Sequence, residues 1–379
     1  MTDTATLIPR TALFGNPTRA AGQISPDGQW LSWLAPKDGV LNIWLAPASD
    51  PQAARAVTQA VERPIRQYFW SPDASAVMYI QDKGGDENYL LYRVDVTTGA
   101  ETTLTPFENT RVQLVGASTT RKDKLLLGLN NRDPQWHDVH LLDLATGELT
   151  LVMENNAYAG FEADDTLTLR MAMSQNEEGG TDYFRVVDNA VEPEPFETSA
   201  MEDALTTTPA GYTSDGTTLY WIDSRGRNTA ALFAQDTATG ERRLIAEDDR
   251  ADIVSTLRHP VTGVVEAYAV NYLTRSWIAI DPAIATALAW LSERLEGEFS
   301  VQSRTDDDSV WIIANDPLTK PVRTFIFDRV TQTLIPFYVS RPELEGAPLQ
   351  PMHPVEIASR EMQLASPKVF IDAVERALS

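Results

Sequence analysis

A short turn sequence returns along this chain at a regular interval. The pattern Asp-x-x-Thr-Gly begins at Asp95, Asp143 and Asp236, and a weaker copy, Asp-Arg-Val-Thr-Gln, begins at Asp328. The copies are separated by roughly 46 residues or by roughly twice that number, an interval typical of repeats that hold several strands each. Repeats of this length predict a β-propeller, which is a ring of small antiparallel sheets called blades.

A second turn sequence lies ahead of the first one in the same unit. It reads Ser25-Pro-Asp-Gly28, Ser71-Pro-Asp-Ala74 and Ser214-Asp-Gly216, and an apolar run follows each copy. Proline, aspartate and glycine supply the backbone angles that tight turns need, whereas β-branched and aromatic residues favour strands. In the second unit this order predicts four strands, at residues 67–70, 76–80, 89–94 and 100–105.

The same order divides the chain into seven blades. We expect an all-β fold with a lead segment at residues 1–19, a seven-bladed propeller of four-stranded blades at 20–347, and a linker with a short helical tail at 348–379. The predicted blades cover residues 23–58, 67–105, 112–154, 159–196, 210–246, 253–299 and 301–339.

One helix is predicted inside the outer hairpin of blade six. Asp281 is a suitable N-cap, and Pro282 suits the first helical position. Four apolar residues then share one helix face: Ile284, Leu288, Leu291 and Leu295. Such a stripe is an ordinary packing face, so we interpret the helix as a structural element.

Composition limits the compartment and the kinds of partner. The chain has 54 acidic and 31 basic side chains and a net charge of −23, which disfavours nucleic acid and anionic membrane surfaces. It has no cysteine, which excludes disulfides and thiolate metal sites. The first residues lack the pattern of a secretory signal, and no run approaches the ~18 apolar residues of a membrane span. We therefore expect a cytoplasmic protein.

Seven stretches in one order resemble a known family. They are LFGNPTRA at 13–20, ISPDGQWL at 24–31, IRQYFWSP at 65–72, GGDEN at 84–88, LNNRDP at 129–134, SRGRN at 224–228 and PLQPMHPVEI at 348–357. Together they resemble the N-terminal propeller of the prolyl oligopeptidase family of serine peptidases, close to its bacterial acylaminoacyl-peptidase and dipeptidyl-aminopeptidase branch. The resemblance implies that an α/β-hydrolase domain with a Ser-Asp-His triad follows the propeller.

The chain departs from the family pattern after the propeller. The family segment that opens the hydrolase reads roughly Ala-Arg-Asp-Gly, whereas this chain has Ala358-Ser-Arg-Glu361 and ends at Ser379. A hydrolase also needs the nucleophile elbow Gly-x-Ser-x-Gly, and the only approach to it, Gly116 with Ser118, lacks the second glycine. We therefore expect a propeller without the hydrolase domain, and no catalytic residue in the chain as given.

Histidines and acidic clusters offer little support for a metal site. His137 and His140 are three residues apart in a predicted strand, so they point to opposite faces. His259 and His353 each precede a proline in turn-like sequence. Gly84-Gly85 lacks the lysine and the strand-to-helix context of a phosphate loop. We expect no metal and no cofactor.

Two further features are interpreted as structural. The run Asp306-Asp-Asp308 occupies the slot of the Ser-Pro-Asp-Gly turn, so a solvated hairpin tip is favoured over a calcium site. Most tryptophans fall at strand positions and predict packing between blades. These strand tryptophans are Trp30, Trp33, Trp44, Trp70, Trp221 and Trp311.

Topology indicates where function is expected. In a four-stranded blade, the loop between the second and third strands lies on the same face as the link to the next blade, and in the family the hydrolase should cap that face. We expect charged loop residues there to line the mouth of the central channel and to contact the hydrolase or a peptide terminus through charge-assisted hydrogen bonds. They are Asp86, Glu87, Asn88, Arg132, Asp133, Glu177, Glu178, Arg225, Arg227, Arg275 and Lys320.

Arg227 and the Asp86–Glu87 pair are the principal candidates among these residues. The alternative is that all of them are solvated loop tips with weak local ion pairs. For the whole chain, the first hypothesis is a propeller that restricts and positions peptides for a serine peptidase. The second is a stand-alone propeller that binds a protein partner, and the third, a propeller enzyme with an axial metal, needs converging acidic residues on inner strands that the sequence does not reveal.

Overall fold

The computed structural model describes residues 7–356 as seven antiparallel sheets arranged in a ring. Each sheet is built from one contiguous stretch of chain, so the order of the blades around the ring follows the sequence. The predicted architecture is confirmed. The helix predicted in the C-terminal tail lies outside the described residues.

The first three blades have four strands each. Blade one contains β1 (Ala20–Ile24), β2 (Trp30–Lys37), β3 (Val40–Pro47) and β4 (Arg55–Ala56). Blade two contains β5 (Tyr68–Trp70), β6 (Ala76–Gln81), β7 (Leu90–Asp95) and β8 (Glu101–Thr103). Blade three contains β9 (Val112–Ala117), β10 (Lys124–Asp133), β11 (Trp136–Asp143) and β12 (Leu149–Met153).

The remaining blades vary the same plan. Blade four contains β13 (Gly160–Ala163), β14 (Leu169–Gln175), β15 (Thr181–Val187), β16 (Ala190–Val191) and β17 (Glu197–Ser199), and its last two strands both pair with β15. Blade five contains β18 (Thr208–Tyr212), β19 (Thr218–Asp223), β20 (Ala231–Asp236) and β21 (Arg242–Ala246). Blade six contains β22 (Ile253–Arg258), β23 (Val265–Asn271), β24 (Arg275–Ala279) and the helix α2 (Pro282–Arg294). Blade seven contains β25 (Glu298–Arg304), β26 (Val310–Asp316), β27 (Arg323–Asp328) and β28 (Thr333–Val339).

The repeated turns have a shared geometry in the blades that carry the two turn sequences. In the first turn of four blades a hydroxyl donates to the aspartate two residues later at 2.6 Å, in the pairs Ser25–Asp27, Ser71–Asp73, Thr213–Asp215 and Thr305–Asp307. In the turn between the third and fourth strands, the aspartate carboxylate accepts the amide of the threonine, as in Asp236 with Thr239 at 2.7 Å. The weaker copy keeps this bond, and Gln332 adopts the left-handed φ of 52° that glycine has elsewhere.

Blade six differs from the prediction. Among the described residues α2 occupies the place of its fourth strand, because β24 is followed by the helix and then directly by β25. Asp281 caps the helix by accepting the amide of Ala283 at 2.8 Å. The predicted boundary after Phe299 is also wrong, since β25 begins at Glu298 and pairs with β26 of blade seven. The buried helix face packs on Trp311 and Phe327, so its apolar stripe fills the wedge between blades six and seven.

Apolar side chains between neighbouring blades hold the ring together. Trp33, Trp221 and Trp311 are at most 1% exposed, and each belongs to a cluster of buried residues. The prediction that these strand tryptophans pack between blades is confirmed for those three. Burial of a large aromatic side chain contributes about 1.5 to 3 kcal/mol. Packing between adjacent sheets is therefore the main source of stability.

The ring closes between the first strand and the last blade. The amide of Gly22 donates to the Tyr338 hydroxyl at 2.8 Å, and the amide of Ile24 donates to Ser303 Oγ at 2.9 Å. A short lead helix, α1 (Arg10–Phe14), lies beside the 3-10 helix Pro342–Leu344, and the Arg341 side chain donates to the Ala12 carbonyl. The segments before and after the ring therefore meet. No helix among residues 7–356 combines the length and apolar character needed to cross a membrane.

Candidate functional site on the loop face

The two faces of the ring carry different connections. The loops between second and third strands and the links between blades lie on one side, which we call the loop face, and the first turns of the blades lie on the other side, the turn face. All the predicted site residues lie in or beside the loops of the loop face. The geometry there decides which of their charges are available to another molecule.

Charged pairs join the loops to the links beside them. Arg63, in the link before blade two, donates to Asp82 at 3.2 Å. In blade seven, Lys320 Nζ lies 2.8 Å from Glu296 in the link before it. Most of these contacts are partly exposed, so each contributes less than about 1 kcal/mol, but together they fix where the loops stand.

Arg132 is committed to such a structural contact. Its guanidinium donates to both oxygens of Asp138 at 2.6 and 2.7 Å and to the Asn155 carbonyl at 2.7 Å. Asp138 is 2% exposed, and burial alone would raise its pKa, but the Arg132 hydrogen bonds lower it. Arg132 therefore ties the blade-three loop to the link toward blade four.

Arg225 is also bound within the protein. It donates to Asp223 and to Glu197, both at 2.7 Å, so it joins blade five to the outer strand of blade four. Burial would raise the pKa of Asp223, but hydrogen bonds from Arg225 and Arg242 bring it to about 2. The hydrogen bonds to Asp223 also raise the pKa of Arg225. These contacts hold the guanidinium between blades four and five.

Arg227 lies in the loop of blade five, and Arg275 lies beside the loop of blade six. The Arg227 guanidinium pairs with Glu247 and lies 5.8 Å from the centre of the Phe233 ring. Arg275 begins β24, and its backbone amide donates to Glu298 at 2.9 Å. Arg275 also lines an open cavity of about 200 Å³ between blades six and seven with Phe299 and Asp316.

The acidic loop of blade two is the most open of the predicted sites. Asp86 is exposed and folds the loop by accepting the amides of Lys83 at 3.2 Å and Asn88 at 3.1 Å, which lowers its pKa. Glu87 is exposed with a left-handed φ of 59°, and its carboxylate makes no hydrogen bond to the described residues. Such a conformation is costly for a glutamate and is found more often where function requires it. Glu87 is therefore the predicted residue best placed to contact another molecule.

Several large apolar side chains are also exposed on the loop face. They lie in the lead helix, in two links and in the segment after the ring. Their exposed fractions are 78% for Phe14, 77% for Val61, 70% for Met201, 96% for Leu205, 64% for Met352 and 70% for Val355. Exposed apolar groups gathered on one face are typical of a surface that another domain or protein covers.

The segment after the ring returns across this same face. The Tyr272 hydroxyl, in the loop of blade six, donates to the Glu356 carboxylate, and Arg250 stacks on the Tyr272 ring at 4.4 Å. The end of the described chain therefore lies over the loop of blade six.

One channel residue was missed by the search for inner-strand acids. Glu162 lies on the inner strand β13, where burial raises the pKa of its carboxyl to about 7 and the Arg258 charge opposes that rise. Arg258 lies on the inner strand of blade six and donates to carbonyls of Tyr212 and Gly263. The position of Glu162 along β13 could have indicated a channel residue, but no repeated motif identifies that strand in the sequence.

The prediction of a solvated tip at Asp306–Asp308 is wrong for Asp308. This carboxylate is 6% exposed and accepts the indole of Trp311 at 2.6 Å as well as bonds from Arg304 and Arg329. The turn is formed as predicted, but a φ of 56° turns Asp308 inward, where two guanidinium groups compensate its charge. Within residues 7–356, no three His, Asp or Glu side chains are placed together as metal ligands would be.

Comparison with known proteins gives a consistent picture. No family model matches the chain. It is 50% identical over 356 residues to the dipeptidyl aminopeptidase BIII of Pseudoxanthomonas mexicana, covering 94% of this chain and 52% of that protein. It is 23% identical over 358 residues to dipeptidyl peptidase family member 6 of Caenorhabditis elegans, covering 89% and 48%. The chain thus spans about half the length of these curated relatives.

Solved structures agree with this relationship at the level of fold. A structure from a study of two prolyl endopeptidases has a TM-score of 0.61 to the chain at 11% identity, covering 87% of this chain and 51% of that one. At that identity the likeness concerns the fold alone. The 50% identity to a dipeptidyl aminopeptidase and the seven-bladed ring confirm the predicted resemblance of this chain to the N-terminal propeller of the prolyl oligopeptidase family of serine peptidases.

Proposed function

We propose that this propeller positions peptides and limits their access for a serine peptidase whose α/β-hydrolase domain covers the loop face. The observation that carries the proposal is the 50% identity along 94% of the chain to a dipeptidyl aminopeptidase of which the chain spans only half. The exposed apolar side chains and the path of the segment after the ring support the loop face as the covered surface.

Binding of the hydrolase half tests this surface. The C-terminal half of the Pseudoxanthomonas relative, produced separately, is expected to bind this chain in sedimentation or titration calorimetry. Val61→Asp and Leu205→Asp each place a charge on the loop face, and we expect them to weaken the binding at least tenfold. Val330→Asp is the matched control, because Val330 is 80% exposed in a turn on the opposite face.

The outcomes separate the alternatives. Loss of binding in both loop-face variants, with the control unchanged, supports the proposal. Equal binding by all three variants contradicts the placement on the loop face. If the hydrolase half does not bind at all, the stand-alone interaction module becomes the better hypothesis.

Peptide positioning is assigned to Glu87 and Arg227. In the complex with the hydrolase half, Glu87→Gln removes the free carboxylate and is expected to raise KM for dipeptide substrates several-fold with little change in kcat, because a charge that holds the peptide amino group acts on binding. Arg227→Ala is expected to act in the same direction. Glu148→Gln, which changes an exposed acid in a turn on the opposite face, is the control. Unchanged kinetics in both site variants would refute the positioning role.

The chain by itself is expected to release no chromophore from dipeptidyl or acylated substrates. Turnover by the isolated chain that a serine-directed phosphonate abolishes would show that a nucleophile was overlooked.

A further inference from the structure

The first turns of the blades come in two lengths. Between the first and second strands, five blades have turns of five residues, at 25–29, 71–75, 164–168, 213–217 and 305–309. Blades three and six instead have turns of six residues, at 118–123 and 259–264. Neither longer turn carries the hydroxyl-to-aspartate motif that four of the five shorter turns have, so blades three and six depart from the repeat in turn length and in sequence.

The two longer turns meet across the central channel. Thr119 Oγ1 lies 3.3 Å from the Val261 carbonyl oxygen, and Lys122 Nζ lies 2.5 Å from Asp306 in the first turn of blade seven. In a ring of seven blades, blades six and seven are the two that lie farthest from blade three. Contacts at hydrogen-bond distance between these turns therefore span the axis of the ring.

Both sides of this bridge are anchored. Asp165, in the first turn of blade four, accepts the Thr119 amide at 2.7 Å and the Thr119 hydroxyl at 2.8 Å. On the other side, the Thr262 carbonyl accepts the amide of Ser214 in blade five at 2.8 Å. Pro26 of blade one accepts the amide of Asp306 at 2.8 Å. The bridge is thus tied to blades one, four and five as well as to the three blades that form it.

We propose that residues 118–123 and 259–264 form a cross-channel strap that closes the channel at the turn face. The channel is then a cup that opens only on the loop face. Any peptide or partner segment that reaches Glu162 and Arg258 inside the ring enters from the loop face and cannot pass through. This inference does not depend on the identity of the partner that covers the loop face.

A disulfide across the axis tests the strap. The chain has no cysteine, so Thr119→Cys combined with Val261→Cys introduces a unique pair. The 3.3 Å contact between the Thr119 side chain and the Val261 carbonyl oxygen brings these two positions together across the axis. We expect mild oxidation of the folded protein to join them nearly completely, as read by mass spectrometry of peptides. Ser75→Cys with Val261→Cys is the matched control, because it also pairs the first turns of two opposite blades but includes a five-residue turn.

Joining of the strap pair at least tenfold faster than the control supports closure, and equal rates overturn it. If the cysteine pair impairs folding, a double-mutant cycle of Lys122→Ala and Asp306→Ala provides the readout. A coupling between the two positions that weakens with salt supports the bridge, and additive effects on unfolding overturn it.

Accessibility of the channel interior tests the direction of entry. Glu162→Cys adds a channel thiol to the strap pair, and oxidation before labelling leaves it as the single free cysteine, which peptide mapping verifies. We expect this thiol to react with a polymer-linked maleimide at the same rate in the oxidised triple variant as in the variant that carries Glu162→Cys alone. A rate that falls at least tenfold on locking, or a thiol unreactive in both forms, would overturn the cup.

Discussion

At the level of single residues, the structure reveals buried acidic groups that the sequence did not predict. Glu162 is held within the ring with its pKa raised to about 7, and Asp308 lies between two arginines. Neither position carries a motif that sets it apart from a solvated acid. Glu162 lies inside the ring because of its position along strand β13. Asp308 is buried because its own left-handed backbone conformation turns it inward.

Glu162 gives a pH dependence of stability with a definite sign. Its folded pKa lies above the ordinary value of 4.5, so its contribution favours the folded state at low pH and is lost as the pH rises through about 7. Glu162→Gln removes that loss and should stabilise the protein at pH 8 by about 1 to 3 kcal/mol, with little effect at pH 5. Urea unfolding at both pH values measures it. The exposed Glu177→Gln should change neither, and equal shifts at the two pH values would contradict the assignment.

Substitution of Asp308 is expected to destabilise the protein. Asp308→Asn removes the carboxylate that Arg304 and Arg329 share and leaves Glu266, at 2.8 Å, as the remaining partner of Arg304; the loss should cost about 3 kcal/mol. The free energy of unfolding from urea titration is the measurement. Asp249→Asn, at an exposed position, should change it by less than about 0.5 kcal/mol. A similar small change for Asp308→Asn would show that the turn is solvated after all.

At the level of elements, turn chemistry made the ring predictable. The hydroxyl-to-aspartate turn and the Asp-x-x-Thr-Gly turn recur because each satisfies its own backbone amides within a few residues. Local bonds of this kind can be seen in sequence, whereas contacts between distant blades cannot. The strand order of blade two was therefore predictable from its turns, but the replacement of the fourth strand of blade six by α2 was not.

The helix α2 is expected to contribute to stability as a strand would. Leu291 is fully buried against blade seven, so Leu291→Ala should cost about 2 to 5 kcal/mol, which thermal and urea unfolding would detect. Thr286→Ala, on the exposed face of the same helix, should be neutral or slightly stabilising. Equal effects of the two substitutions would mean that the helix does not pack as described.

At the level of the whole molecule, topology predicted the position of the candidate loops better than charge predicted which of their residues are free of contacts. The shared face of loops and links follows from strand order alone, and the candidate residues do lie in its loops. Which of them are free depends on partners far away in sequence, such as Glu197 for Arg225. Of the predicted residues, Glu87, Glu177 and Glu178 are exposed acids whose carboxylates make no hydrogen bond among the described contacts, whereas Arg132 and Arg225 bind within the ring itself.

Two amide hydrogen bonds add to the apolar packing that closes the ring at the seam between blades one and seven. Tyr338→Phe with Ser303→Ala removes the acceptors of two amides, those of Gly22 and Ile24, and should cost about 1 to 3 kcal/mol per amide that is left unpaired. Unfolding by urea measures the loss, and faster hydrogen exchange confined to residues 20–24 would locate it. Exchange that rises evenly around the ring would contradict a local seam.

The pairing of each loop with its neighbouring link has an evolutionary consequence. The ion pair of Arg63 holds the blade-two loop, and that of Lys320 holds the blade-seven loop. An insertion in one of these loops therefore leaves the contacts of the other loop unchanged. Descendants of such a ring can acquire new recognition surfaces one blade at a time, while the scaffold beneath is inherited unchanged.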